Sequence, residues 1–167
     1  MSDFPAQHIG PPPFRFAPST DPMRVRAFTV LFRLVATLFV FGLEIWMYYL
    51  WQAGQLTPAG MSTAAALGWP LAALGVMIYT WWQIITSHTT LTSKKLHQSW
   101  IWDKEMEIGE LAYGKLIRVP GLDWLVAPRL YVRTLLGKFA VFYAADPAML
   151  KEFERLIVEL KAFRSFR

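Results

Sequence analysis

The 167-residue chain is 54% apolar and only 17% charged, which excludes a highly charged disordered polypeptide and leaves room for one small domain beside a membrane segment. Its net charge of +5 is spread thinly, without the run of like charge that makes a nucleic-acid arm, so no nucleic-acid partner is expected. Cysteine is absent, which removes disulfides, thiolate metal sites and cysteine nucleophiles.

Residues 1–26 are rich in proline, with Gly10-Pro11-Pro12-Pro13 and a second group between Pro18 and Pro22. Such a composition favours extended backbone, and the stretch reads as a flexible tail whose Phe4, Phe14 and Phe16 are available to a partner.

Residues 27–86 read as a transmembrane hairpin, with helices at about 27–51 and 62–86 and an uncharged loop between them. Each apolar segment is longer than the roughly 20 residues that cross a bilayer core, and neither has a polar face. The first is too long for a signal-peptide core, and its bulky run Trp46 to Trp51 lacks a small-residue cleavage pattern, so it is expected to stay as an anchor. Arg15, Arg24, Arg26 and Arg33 flank the first helix, and Lys94 and Lys95 follow the second. Basic residues stay on the cytoplasmic side, which predicts a multi-pass protein of the inner (plasma) membrane with both termini in the cytoplasm.

Two ionisable residues lie within the first helix. Arg33 and Glu44 fall on nearly one face but about 16 Å apart along the axis, too far to pair with each other. The spacing sets Arg33 level with Tyr79 to Gln83, and Glu44 level with Gly68 and Trp69. Either Arg33 snorkels to headgroups while Glu44 is protonated or bonds the Trp69 indole, or both touch a partner within the bilayer. The second helix carries Ala64, Gly68, Ala72 and Gly75 at helical spacing, a stripe suited to packing on the first helix near Gly42 or to a homo-oligomer.

From residue 87 short alternating segments follow one another between turn residues. The predicted strands are His88–Thr92, Leu96–Trp102, Glu105–Ile108, Lys115–Val119, Arg129–Leu135 and Lys138–Ala144. The alternation of Asp103, Glu105, Glu107 and Glu110 with other residues is that of a strand with one solvated face. A last helix, at about 147–163, starts with Asp146 as N-cap and Pro147 in the first turn. It sets Leu150, Phe153, Leu156, Ile157 and Leu160 against a polar face of Lys151, Glu152, Glu154, Arg155, Glu159 and Lys161. The fold class expected is an α+β membrane protein, a two-helix hairpin followed by a small β-barrel (87–167) capped by its C-terminal helix.

With the hairpin, the opening Thr90-Leu91-Thr92-Ser93-Lys94-Lys95-Leu96 and the ending Phe142-Tyr143-Ala144-Ala145-Asp146-Pro147, the chain resembles bacterial membrane proteins that carry a pleckstrin-homology-like domain after a transmembrane hairpin. The resemblance implies a bent seven-stranded barrel used as a binding platform and not as a catalyst. It also implies that Lys94 and Lys95 occupy the turn where relatives often bind phosphoinositides; a basic pair that only sets topology is the other reading.

No phosphate loop, nucleophile elbow or dinucleotide fingerprint occurs, and His8, His88 and His97 have no acid or second histidine at metal-ligand spacing. Neither enzyme activity nor a metal or cofactor is expected. The candidate contacts for lipid or partner are Lys94, Lys95, Leu122 and Trp124, the last two in an apolar segment between turns, and the candidate intramembrane contacts are Arg33 and Glu44. The function expected is that of a membrane-anchored scaffold whose cytoplasmic domain docks a membrane-protein partner or lipid headgroups, aiding assembly of a complex. The alternative is an accessory subunit that touches a transporter or enzyme through the hairpin.

Overall fold

The computed structural model describes residues 13–56, 60 and 62–165, with the side chains of residues 63–66 and 69 left aside. The described residues form an α+β arrangement of three α-helices and two antiparallel sheets. Four short strands, β1 (Met23–Arg26), β2 (His88–Leu91), β3 (Lys95–Gln98) and β4 (Lys104–Glu107), form one sheet in sequence order. The second sheet is β5 (Leu111–Ile117), β6 (Arg129–Thr134) and β7 (Phe139–Tyr143). Between β1 and β2 the chain makes α1 (Val30–Gln52) and α2 (Thr63–Thr86), and α3 (Pro147–Ser165) closes it.

The residues before Ala27 are not all a tail. Met23–Arg26 pairs antiparallel with β2, Met23 opposite Leu91 and Arg26 opposite His88. Upstream, Phe14 and Phe16 are buried, at 4% and 3% exposure. Phe14 N–H donates to the Gly109 carbonyl at 3.3 Å, and its ring meets Phe163 at 5.5 Å. Proline keeps this stretch extended, and extended backbone is what lies flat along a sheet edge and a helix. The expected dockings of Phe14 and Phe16 are therefore made within the chain itself, while Phe4 lies outside the described residues.

One face of each sheet enters a common core, built from Leu91, Leu96 and Met106 on one side and Leu111, Leu130, Val132 and Phe142 on the other. The amphipathic α3 lies over it with Met149, Phe153, Leu156 and Leu160 inward. Its start is as expected: the Asp146 carboxylate accepts from Ala148 N–H at 2.7 Å. Glu152 is not solvated as its place on the polar face suggested. It is buried, accepts from Ser19 Oγ at 2.7 Å and pairs with Arg155 at 3.2 Å, because the N-terminal segment covers that side of α3.

The expected closed barrel is not formed; among the described residues no backbone ladder joins the two sheets. Side chains span the seam. The buried Thr89 hydroxyl donates to the Tyr143 carbonyl at 2.5 Å, and Gln98 Oε1 accepts from Tyr143 N–H at 3.0 Å. Two buried polar side chains thus satisfy backbone groups that a barrel would pair strand to strand. At the other end of β7, Gly137 (φ +85) closes the tight turn to β6, whose ladder ends on Thr134 N–H to the Lys138 carbonyl at 2.8 Å.

Among the described residues α1 is the helix long and apolar enough to cross a membrane, and the apolar part of α2, Pro70–Thr86, is shorter. The two helices touch through Trp81, whose indole N–H donates to Thr37 Oγ1 at 2.9 Å and whose ring meets Phe41 edge-on at 5.4 Å. This sets Trp81 roughly one to two turns beyond Arg33, so Arg33 lies nearer the end of α2 than the spacing suggested. The glycines of the small-residue stripe do not pack on α1 near Gly42: a Cβ added at Gly42, Gly68 or Gly75 would meet nothing within 4 Å.

Two substitutions test this packing. Phe16→Ala is expected to cost about 3 kcal/mol, the usual price of emptying a buried phenylalanine site, read as a fall in the denaturation midpoint of the detergent-solubilised chain. Gly114→Val should cost about 1–3 kcal/mol, because a Cβ there already stands 3.3 Å from Ile157 Cγ1 of α3.

Candidate functional site

The two helices leave and rejoin the β domain side by side. Beyond the Arg26–His88 pair the ladder gains one more bond, Ala27 N–H to the Ser87 carbonyl at 3.2 Å. Thr29 then caps α1 by accepting from Phe32 N–H at 3.2 Å, while its hydroxyl donates to the Leu125 carbonyl at 2.8 Å. Arg26 donates to the Ile85 carbonyl at 2.5 Å, a cation on the C-terminal end of α2. Ala27, Phe28, Thr29 and Ser87 are all buried, so this junction is packed and not a linker.

An apolar pocket of about 300 Å³ opens at the junction, lined by Phe28 and Phe32 of the first helix region, Ile84 of α2, and Trp100, Val126 and Tyr143 of the domain. Phe28 stacks against Phe32 at 5.3 Å and meets Trp100 and Tyr143 at 5.7 and 5.5 Å. Cations ring this aromatic group: Lys104 Nζ lies 4.9 Å from the Trp100 ring centre, and the Arg129 guanidinium lies 5.6 Å from that of Tyr143. Burial holds the Lys104 ammonium below its usual range. The indole N–H of Trp100 and Nε of Arg129 are buried without a hydrogen-bond partner.

On the other side of Phe28 a cleft of about 600 Å³ runs between Arg24–Arg26, the first turn of α1 with Arg33, the Asp123-Trp124 step and the start of α3. Two of the residues singled out in the sequence, Arg33 and Trp124, meet here. Trp124 is 60% exposed and donates its indole N–H to the Gly121 carbonyl at 2.9 Å, while the exposed Leu122 stands just outside the lining. Glu44 lies far along α1, half-buried; the side chain of its suggested partner Trp69 is outside the described residues.

Lys94 and Lys95 sit in and after the β2–β3 turn, in a depression they share with Asp21, Glu105 and Glu107. Lys95 is paired with Glu105 at 3.1 Å. Three carboxylates beside two ammonium groups oppose a phosphate there.

The outer face of the second sheet is a feature the sequence reading missed. Tyr113, Tyr131 and Phe139 form a row across three strands, with ring centres 6.3 Å apart at each step, and Phe139 is 70% exposed. Lys115, Arg129 and Arg133 share this face, and none of the three strands contains Asp or Glu. The alternation in β5, β6 and β7 was the available signal, but only the cross-strand register brings the rings into line.

His88, beside this junction, reports the local field. Burial, and then the charges of Arg24, Arg26 and Arg33, hold its imidazolium pKa below the ordinary value, against a hydrogen bond at the Thr86 backbone that favours the proton. The unfolded chain binds that proton from roughly pH 6.5 downward and the folded chain only at lower pH, so stability falls as pH drops through this interval. His88→Gln is expected to flatten that part of the stability–pH curve, measured as denaturation midpoints on either side of roughly pH 6.

No group of three or more residues able to hold a metal occurs among the described residues. No protein-family model, curated protein or solved structure matches the chain.

Proposed function

We propose that this chain is a non-catalytic, membrane-anchored docking protein. In this reading α1 and α2 span the bilayer as a hairpin, and the β domain, of pleckstrin-homology-like type, lies on the cytoplasmic face of the plasma membrane. The observation that carries it is the contrast in surface. Leu34, Val35, Leu38, Phe39 and Ile45 of α1 and Leu71, Val76 and Tyr79 of α2 are exposed, while the junction below them is packed. Exposed apolar surface on that scale needs a bilayer or a partner to cover it. The basic residues of both flanks then lie on one side, as the positive-inside bias requires.

The aromatic row with its arginines is the surface best suited to a partner. Tyrosine and arginine dominate the energetics of protein interfaces, and the absence of carboxylates on the three strands favours an acidic segment of a membrane-protein partner. The alternative, an accessory subunit contacting its partner through the helices, is favoured by one residue, the half-buried Glu44 carboxylate on a helix otherwise apolar at that level.

The native chain has no cysteine, so single replacements report topology directly. Gln55→Cys is expected to react with an impermeant maleimide on intact cells, and Ser165→Cys only after permeabilisation; labelling of both from one side overturns the spanning hairpin. A photo-crosslinker placed at Tyr131 should capture a membrane protein in native membranes, and Arg133→Glu should abolish the adduct. Capture that survives this charge reversal removes the sheet face as the docking surface.

A further inference from the structure

The cleft beside Phe28 collects Arg24, Arg26 and Arg33 from two elements, and none of the three forms an ion pair among the described residues. Arg26 gives one N–H to the Ile85 carbonyl, and Nε of Arg33 is buried without any partner. Of the two carboxylates in the lining, Asp146 is engaged by the Ala148 N–H at the start of α3, which leaves Asp123. The first turn of α1 borders the cleft and adds the positive end of one helix, whereas that of α3 is already occupied by Asp146. Arg24 and Arg26 are exposed, and the one buried donor without an acceptor, Arg33 Nε, carries a cost that a bound oxyanion would offset with two-pronged hydrogen bonds.

Position narrows the anion. The cleft lies where α1 begins, with the exposed Trp124 at its edge, and the apolar pocket lies across Phe28. A phosphate offered at that level comes with glycerol and acyl chains, and tryptophan favours the same interfacial depth. We infer that this cleft binds the phosphate of an anionic glycerophospholipid from the adjoining leaflet, with Arg24 and Arg33 as its main contacts and the Phe28 pocket receiving apolar groups next to the head. A zwitterionic headgroup is disfavoured, because its quaternary ammonium would face three guanidinium groups. Burial first, and then the charges of these three arginines, lower the pKa of His88, so a positive field here is one part of that shift. The inference rests on the proposed bilayer anchoring and names the ligand and the residues.

The test uses the full chain, first floated with vesicles under alkaline carbonate and then extracted into detergent with equal amounts of phosphatidylglycerol and phosphatidylcholine for native mass spectrometry. One retained phosphatidylglycerol, favoured at least about tenfold over phosphatidylcholine, is expected, with retention falling about tenfold in Arg24→Gln and in Arg33→Gln and less in Arg33→Lys. Lys94→Gln with Lys95→Gln should leave it unchanged, and excess inorganic phosphate should not displace it. Equal retention of the two lipids, indifference to the arginine variants, loss in the lysine variant or displacement by free phosphate each overturns the inference. Circular dichroism and melting of the exposed Arg24→Gln variant separate lost binding from lost folding. A chain that fails to float overturns the anchoring instead, so the two failures are distinguishable.

Discussion

The β1–β2 ladder is the constraint on which the rest of the molecule depends. Only residues 27–29 separate β1 from α1, and only Ser87 separates α2 from β2. Because the strands pair antiparallel with Arg26 opposite His88, the start of the first helix and the end of the second must emerge side by side. Strands about 4.8 Å apart and helices 8–10 Å apart do not match without an adjustment; the Arg26–Ile85 bond spans the widening gap, while Phe28 and Thr29 seat the first helix on the domain. The helices are thereby an insertion into a β-hairpin and not a separate unit tethered by a linker.

The same ladder explains why the β domain is complete only with residues from both sides of the helices. Strand β1 edges the first sheet, and the stretch from Pro13 to Ser19 then covers α3 through Phe14, Phe16 and the Ser19–Glu152 bond. Burial of two phenylalanines offsets part of the entropy of ordering this segment. Thr89 and Gln98 of the first sheet both bond Tyr143 of the second, whose ring also lies in the aromatic group at the junction, and Lys104 adds a bond to the Val141 carbonyl at 3.3 Å. Core, seam and junction therefore share one strand end.

Charge is distributed in the same spirit. Lysines on the β2–β3 turn are balanced by Asp21, Glu105 and Glu107, whereas the arginines around the helix bases lack ion-pair partners among the described residues. A cation near a carboxylate in water loses most of its reach, and a guanidinium in a half-buried cleft keeps it. Net charge in the sequence is silent on this difference. It emerges only when β1, the first turn of α1 and the loop before β6 converge.

Much was legible in the linear chain, because local rules determine it. The two long apolar segments, the Asp146-Pro147 start of the last helix, the Leu136-Gly137 turn and the solvated alternation of Glu105, Met106 and Glu107 follow from propensity and periodicity alone, and the structure has them at nearly those places. What the sequence could not decide were pairings between distant residues. Proline content marked the N-terminal stretch as extended but could not say that β2 offers it an open edge. Glu152 read as solvated because its partners lie far upstream. The barrel was expected to close because strand count suggests it, whereas closure depends on register, and side chains bridge the gap instead. Arg33 was visible as a charge in an apolar helix, but its company, Arg24, Arg26 and Trp124, is set by the ladder that brings the helix base against the domain. Short-range chemistry is written residue by residue; a site assembled across long loops exists only once the chain has folded.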